Sequence, residues 1–499
     1  MANLPWRISV RLLALGKKIA LVLATALVVL LGVRVYLSEQ GPDLHRWHTW
    51  HGDELSAGEI DRATFADYLA REARIFADLQ RNVTAKTAGE ERTPLNRFYR
   101  HSLVWPGQFA PDANRSFVLM PAGKPRGAVV LLHGLTDSPY SVRHLAVDYQ
   151  QRGFVAVVPR LPGHGTAPGA LTDVDWAMWM ATTRLAVREA TRLAGDKVPL
   201  DLVGYSNGGA LAVKYALDAG DGGALRKPRQ LVLLSPMIGV TAFARFAGLA
   251  GLPAWLPAFA KAAWLNITPE YNPYKYNSFP VNAARQSWLL TQALQQQLAR
   301  EVQRSNLRNF PPVLAFQSVM DSTVSTRAVI SELFDRQPQN GSELVVVDIN
   351  QAASFRPLFK PSAWTAVSDL LPVAIRRYSV TVITNARPDS YATVAKTTLA
   401  GSTRETVVPL STPYPEDVYS LSHVAIPFPP DDDLYGRTPG HKNRFGISPG
   451  TISLRGETSV LSVSKEALMR VTSNPFYAYM QQRIAQRSPP APPDAEKGQ

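Results

Sequence analysis

A serine set between glycines carries the clearest chemical signal in the chain. Leu200, Leu202 and Val203 form a short apolar run of the kind a buried parallel strand shows. Gly204-Tyr205-Ser206-Asn207-Gly208 follows at once, and Gly209 to Ala219 reads as a small-residue, Ala-rich helix. Strand, G-x-S-x-G and helix in that order predict a turn too tight for side chains beside Ser206. Such an elbow lifts the Ser206 hydroxyl clear of the sheet, and the start of the next helix favours developing negative charge. The plainer alternative is a Gly-rich turn that happens to hold a serine.

Other residues could complete the chemistry. An apolar run, Gly127 to Leu132, ends in His133-Gly134-Leu135-Thr136-Asp137-Ser138-Pro139. Gly134 lets the backbone turn sharply there and frees the Leu135 amide to point at a ligand. Pro162-Gly163-His164-Gly165 makes a tight loop, in which His164 reads as a loop-ordering residue. Asp321 follows the apolar run Val313 to Gln317, and Asp348 ends the next one, Glu343 to Asp348. Of nine histidines, only His423 and His441 follow Asp321. His423 lies in a short apolar segment suited to a packed loop. His441 sits in a basic turn, Pro-Gly-His-Lys-Asn-Arg, where cationic neighbours disfavour imidazolium.

The elements that must position these groups alternate. Strands are expected at Arg115–Met120, Gly127–Leu132, Phe154–Val158, Leu200–Val203, Leu231–Leu234, Val313–Gln317 and Glu343–Asp348. Helices are expected at Ser141–Gln151 and at Asp173–Leu193, the latter capped by Thr172. That alternation predicts a mostly parallel sheet with helices on both faces. It is interrupted twice. Residues 236–312 are too apolar and aromatic for a loop, with Phe243, Phe246, Trp255, Phe259, Trp264, Tyr271, Tyr274, Tyr276, Phe279 and Trp288. They read as a cap with a core face and a pocket face, continued by a polar helix from Gln286 to Arg304. Residues 350–415 are Thr-, Ser- and Val-rich and read as a β-rich insertion, with strands at Tyr378–Thr384 and Thr403–Val408. A last helix is expected over Lys465–Arg487, then a Pro-rich, charged tail without fixed structure.

The N-terminus differs in kind. Arg7, Arg11, Lys17 and Lys18 precede an apolar run from Ile19 to Leu37 that only Arg34 interrupts. As a helix this run is about 28 Å long, close to the hydrocarbon thickness of a bilayer. Arg34, near its far end, is expected to snorkel to the interface beside Tyr36. The flanking charges predict a signal anchor with the N-terminus in the cytoplasm and everything after it outside; a cleaved secretory signal is the rival. Trp47 and Trp50, interleaved with His45, His48 and His51, read as a membrane-interface segment rather than a metal site. Thr64 to Val83 has helical apolar spacing and should pack on the main body. Asp431-Asp432-Asp433 reads as a solvated turn.

Composition narrows the function further. The 499 residues contain no cysteine, which excludes disulfides, thiolate nucleophiles and cysteine metal sites. The net charge of +13 is spread along the chain, with acidic residues interleaved. It suits a solvated surface near lipid better than a nucleic-acid interface, and no nucleic-acid partner is expected.

Together, His133-Gly134, Gly163-His164-Gly165, Gly204-Tyr205-Ser206-Asn207-Gly208-Gly209, Asp321 and His423 resemble the α/β-hydrolase superfamily. Within it, the monoacylglycerol lipase, lysophospholipase and serine-aminopeptidase-like branch is most similar. The likeness covers roughly residues 115–349 and 416–440 and implies the α/β-hydrolase fold with a helical cap. It implies Ser206 as nucleophile, His423 as base, Asp321 as the acid orienting it, and the Leu135 and Asn207 amides as an oxyanion hole. No cofactor and no metal are expected. The chain departs from the branch in its anchor, in the helix over 64–83 and in the length between Asp321 and His423.

The expected organisation is a basic cytoplasmic segment 1–18, a transmembrane segment 19–37 and a juxtamembrane part 38–110. The core spans 111–235, 313–349 and 416–487, interrupted by the cap 236–312 and the β-rich insertion 350–415, with a tail at 488–499. The expected activity is hydrolysis of carboxylic esters with apolar acyl chains, lysophospholipase-like, through an acyl-enzyme. A peptidase or amidase on the same scaffold and a silent hydrolase that binds lipid or protein are the alternatives. The active domain is expected outside the cytoplasm, in the periplasm if the source is bacterial.

Overall fold

The computed structural model describes residues 4–220, 225–239, 251–354, 356–453, 461 and 463–488. Phe243, Phe246, the tail from 489 onward and the side chain of Trp255 lie outside them. A single ten-stranded sheet runs through the body in the order β1-β3-β2-β4-β5-β8-β9-β10-β11-β12. Its centre consists of β2 (Gly127–Leu132), β3 (Phe154–Val158), β4 (Leu200–Tyr205), β5 (Gln230–Leu234), β8 (Val313–Ser318) and β9 (Glu343–Val347). All of these are parallel and fully buried.

Their near-continuous apolar runs follow from coverage on both faces. Val130, Leu132, Val157, Leu202, Leu231 and Leu233 point into one core layer, and Val129, Leu131, Ala156, Val203, Val232 and Leu234 point into the other. Each of these Val and Leu side chains contributes about 1.5–3 kcal/mol on burial. The first layer is closed by α4 (Trp176–Ala194), α5 (Asn207–Gly220) and α6 (Val281–Gln303), and the second by α3 (Arg143–Gln151) and α7 (Tyr477–Gln486). Here α1 is Leu4–Glu39 and α2 is Phe65–Asn82.

Several elements differ from the sequence expectation. Helix α4 starts three residues late. The Asp175 carboxylate accepts the Met178 amide at 2.9 Å, whereas the Thr172 hydroxyl is spent on the Gly169 carbonyl at 2.7 Å. Helix α6 begins at Val281 rather than Gln286, and its Leu290, Leu294 and Leu298 are fully buried in the main core. Part of the expected cap therefore belongs to the body. The other described residues of that stretch include 3-10 turns at Leu252–Trp255 and Pro257–Ala263, and a pair of short strands, β6 (Trp264–Asn266) and β7 (Phe279–Pro280). The C-terminal helix is broken in two, Lys465–Met469 and α7, because Pro475 cannot continue a helix.

The β-rich residues 350–415 continue the central sheet. Strand β10 (Ser379–Asn385) lies parallel to β9, and β11 (Thr393–Thr398) and β12 (Glu405–Leu410) extend it antiparallel. At the opposite edge β1 (Phe117–Leu119) is antiparallel to β3. Thr and Val suit this half-exposed extension, whose outer strand β12 is open to solvent.

Residues 41–51 pack on the protein rather than standing free at an interface. Trp47 and Trp50 are buried with Ile75, Leu79 and Phe98, and the Trp50 indole donates to Asp78 at 2.9 Å. Asp432, expected in a solvated turn, is fully buried. Its carboxylate accepts from Arg143 at 2.6 Å, His144 at 2.9 Å and the Leu434 and Tyr435 amides. Burial opposes its ionisation, but these partners hold the carboxyl well below the usual range.

Candidate active site

Ser206 stands at the turn between β4 and α5 with φ +53°, in the left-handed region. The glycines around it are a packing requirement. A Cβ on Gly204 would lie 2.3 Å from the Gly208 carbonyl oxygen, one on Gly208 would lie 2.1 Å from that of Leu132, and one on Gly209 would lie 2.7 Å from Pro236. The Ser206 amide donates to Leu234 at 2.9 Å and its carbonyl accepts from Met237 at 3.0 Å, so β5 and the turn after it fix the elbow.

His423 opens a short 3-10 turn after the sheet extension and returns to this elbow. Its Nε2 lies 3.1 Å from Ser206 Oγ and its Nδ1 lies 2.8 Å from Asp321 Oδ2. With Nδ1–H donated to the carboxylate, Nε2 is left free to accept the serine proton. The His423 and Asp321 side chains are almost wholly covered, and the Tyr205 ring lies against the imidazole at 5.5 Å.

Asp321 sits just past β8, where its Oδ1 accepts the Thr323 and Val324 amides at 2.8 and 3.0 Å. Gln317 Nε2 donates to Oδ2 at 3.0 Å. Burial works against the charge on Asp321, yet His423 and the two amides outweigh it and lower the carboxyl below its ordinary value.

The rival residues are engaged elsewhere. Asp348 accepts from Thr384, Gln351 and the Ile349 amide, and burial raises its carboxyl. His441 is mostly exposed beside Asp433.

The loop after β2 lies directly on the elbow. A Cβ on Gly134 would meet the Tyr205 ring at 3.0 Å and Ser206 Cβ at 3.4 Å. Among the described residues, the amides of Leu135 and Asn207 have no protein acceptor. The neighbouring backbone is held rigidly: Thr136 has φ +62° and its carbonyl accepts the Tyr276 amide at 2.8 Å.

His133 braces the loop from below, donating from Nδ1 to the Gly134 carbonyl and accepting the Leu161 amide on Nε2. His164 donates to the Pro162 carbonyl at 3.0 Å. Burial keeps both imidazoles neutral, His133 well below its ordinary value and His164 at about 3.

The chain of contacts Asp321–His423–Ser206, the sheet order around it and the elbow geometry define the architecture, and residues 123–348 match the family described as "Serine aminopeptidase, S33". The chain has the α/β-hydrolase fold. A stretch of 54 residues is 39% identical to the thermostable monoacylglycerol lipase of Bacillus sp. (strain H-257), covering 11% of this α/β-hydrolase and 22% of that relative. Among solved structures, one reported for the metagenome-derived lipolytic enzymes LipS and LipT is 21% identical with a TM-score of 0.38. That match covers 48% of this chain and 88% of the other. A soluble variant of Saccharomyces cerevisiae monoglyceride lipase is 16% identical with a TM-score of 0.36, over 46% and 80% of the two chains.

Some residues around the site had no signal in the sequence of this α/β-hydrolase. Gln317 reads only as a strand residue, yet it steadies Asp321. Asp137, in the loop after β2, is buried; its Oδ1 accepts the Ser138 amide at 3.0 Å. Burial pushes its carboxyl up to about 6, against the pull of Lys275 and His423. Arg160 is completely buried and binds Glu54 through both terminal nitrogens, at 2.7 and 2.9 Å, and Glu72 through Nε at 3.1 Å. Because Glu54 also accepts the Gly163 amide, this cluster fastens the N-terminal segment and α2 to the His164 loop.

Proposed function

We propose that the protein is a serine hydrolase that cleaves carboxylic esters with apolar acyl chains through an acyl-enzyme. The observation that carries this reading is the continuous contact chain from Asp321 through His423 to Ser206, at 2.8 and 3.1 Å. In this mechanism His423 Nε2 takes the Ser206 proton as Oγ attacks the ester carbonyl. Asp321 keeps the imidazole in the productive tautomer and stabilises the imidazolium that forms. Charge then grows on the carbonyl oxygen, where the Leu135 and Asn207 amides and the N-terminus of α5 would receive it. His423 returns the proton to the leaving alcohol. Water, activated by the same imidazole, releases the acid and restores Ser206.

The family description favours one second reading, cleavage of aminoacyl amides on the same scaffold. Reaction with a fluorophosphonate probe, abolished in Ser206→Ala, separates an enzyme from a silent binding protein. Turnover of p-nitrophenyl esters from acetyl to medium chains, beside aminoacyl amides, separates the two activities. The ester reading expects kcat/KM to rise with chain length, since each buried methylene contributes about 0.8 kcal/mol. A flat profile, or faster amide cleavage, would reject it.

The membrane reading rests on Leu15–Glu39 of α1, which is long and apolar enough to cross a bilayer. Leu21, Val22 and Leu30 there are 66–68% exposed, as lipid-facing side chains would be. We take α1 as a retained anchor, with the basic N-terminus inside and the hydrolase outside.

A further inference from the structure

The end of α1 is bound to the cap. Arg34, expected to snorkel, instead donates to the backbone carbonyl of Trp264 and, at 3.4 Å, to that of Ala262. A guanidinium inside an apolar helix is costly, and two backbone carbonyls of the cap satisfy its Nη2 without adding a charge. The links continue past the span. Lys261 donates to the Gly41 carbonyl at 3.2 Å and to Asp43 at 2.8 Å.

His48 accepts the His45 amide on Nδ1 at 2.9 Å, which leaves its Nε2–H to donate to the Ser278 hydroxyl at 3.1 Å. Ser278 passes the bond on to the Thr268 carbonyl at 3.1 Å, and the Trp264 ring meets the His48 ring edge-on. Burial holds His48 neutral, at about 3. Cap residues 261–278 are thus fastened to residues 34–48 at four separate points, while Leu252 and Leu256, on the cap turns that touch α1, remain 42% and 59% exposed. Because these turns pack against α1, a bilayer that surrounds α1 would also reach them.

We propose that the span and the cap form one unit. Arg34 latches the cap edge Ala262–Trp264 to the last turns of α1, so that Leu252 and Leu256 enter the same lipid leaflet and the enzyme prefers long-chain esters resident in the bilayer. This rests on the reading of α1 as a retained span and deepens the ester-hydrolase reading. The Tyr276 amide on the Thr136 carbonyl links the latched segment to the loop beside Ser206, so the cap's seating bears on the site itself.

The absence of cysteine makes the test direct. In the full chain, reconstituted into phosphatidylcholine–phosphatidylglycerol vesicles, Leu256→Cys labelled with an environment-sensitive fluorophore should emit blue-shifted light and be quenched by shallow doxyl lipids. Arg34→Leu makes the span more apolar, so insertion is kept, as a label at Val28→Cys would report. It should nevertheless cut quenching at position 256 about threefold or more, and lower the ratio of vesicle-ester to soluble-ester turnover about tenfold. Leu252→Asp with Leu256→Asp, which leaves the latch intact, should lower the same ratio. A water-like signal at position 256 in the parent chain, equal quenching with and without Arg34, or recovery of a chain cleaved before residue 40 would overturn the proposal. Failure to hydrolyse either ester would instead overturn the ester reading, because the fluorescence does not depend on turnover.

Discussion

Two carboxyl groups beside one imidazole have opposite environments, and this separates their roles. Asp321 is held ionised by His423 and two backbone amides, whereas Asp137, with a single amide, is held toward its neutral form by burial. His423→Ala should therefore lower kcat about a thousandfold or more, and Asp321→Ala about a hundredfold, with both variants folded. Steady-state kinetics beside His441→Ala and Asp348→Ala checks the assignment, because neither of those residues touches the Ser206 hydroxyl or the imidazole. For Asp137 the sign runs the other way. Its carboxyl rises from 3.8 unfolded to about 6 folded, so its contribution is complete below the unfolded value and is lost as pH climbs toward 6. Above that pH it costs of order 2–3 kcal/mol, which Asp137→Asn should recover. Denaturation midpoints of the two proteins should coincide near pH 4 and diverge up to about pH 6; parallel curves would refute the account.

At the scale of elements, His423 depends on how the chain returns from the sheet extension. Asn350, fully buried at the end of β9, donates its amide to Tyr419 at 2.8 Å and its side chain to Pro415 and Val418, both at 3.0 Å. Its Oδ1 accepts from Asn385 on β10 at 3.1 Å. Asn350→Ala leaves those carbonyls unmatched and should cost about 1–3 kcal/mol of stability. On the proposed mechanism it should also lower kcat more than it changes KM, because it loosens the turn that carries His423. The Arg160 cluster acts similarly on the other side. Removing one member of a buried ion pair typically costs about 3–5 kcal/mol, so Arg160→Ala, which strands Glu54 and Glu72, should unfold well before the parent in urea. Arg160→Lys cannot make the two-point contact with Glu54 and should recover only part of the loss.

For the whole molecule, the geometry ties the long apolar helix α1 to the body through the cap. A reporter active only in the cytoplasm, fused after residue 60, should give no signal, and extraction should need detergent. A strong cytoplasmic signal would reverse the topology, and release of a shortened soluble chain would favour cleavage. The long path between Asp321 and His423 is compatible with a working site because closure entropy grows only slowly with loop length. The sheet extension makes that path rigid by continuing the β9 edge.

The local patterns were enough to read the elbow, the parallel core strands and the apolar N-terminal helix, because each is set by neighbours within about ten residues. Gly204, Gly208 and Gly209 announce a tight turn wherever it lies, and runs such as Val129–Leu132 must be covered on both faces. The sequence order also pointed to Asp321 and His423 as the pair, without showing that they meet. Long-range contacts decided the rest. Thr172 and Asp175 are both able caps, and only the packing of the preceding turn assigns Asp175. Asp432 looks like any surface acid until Arg143 and His144 arrive from a distant helix. Trp47 and Trp50 have the composition of an interface belt, but Phe98 and α2 offer them a dry pocket. Arg34 has the spacing of a snorkelling residue, yet its guanidinium donates to carbonyls some 230 positions away. Hydrogen-bond partners for buried charges are chosen in space, and no periodicity along the chain records that choice.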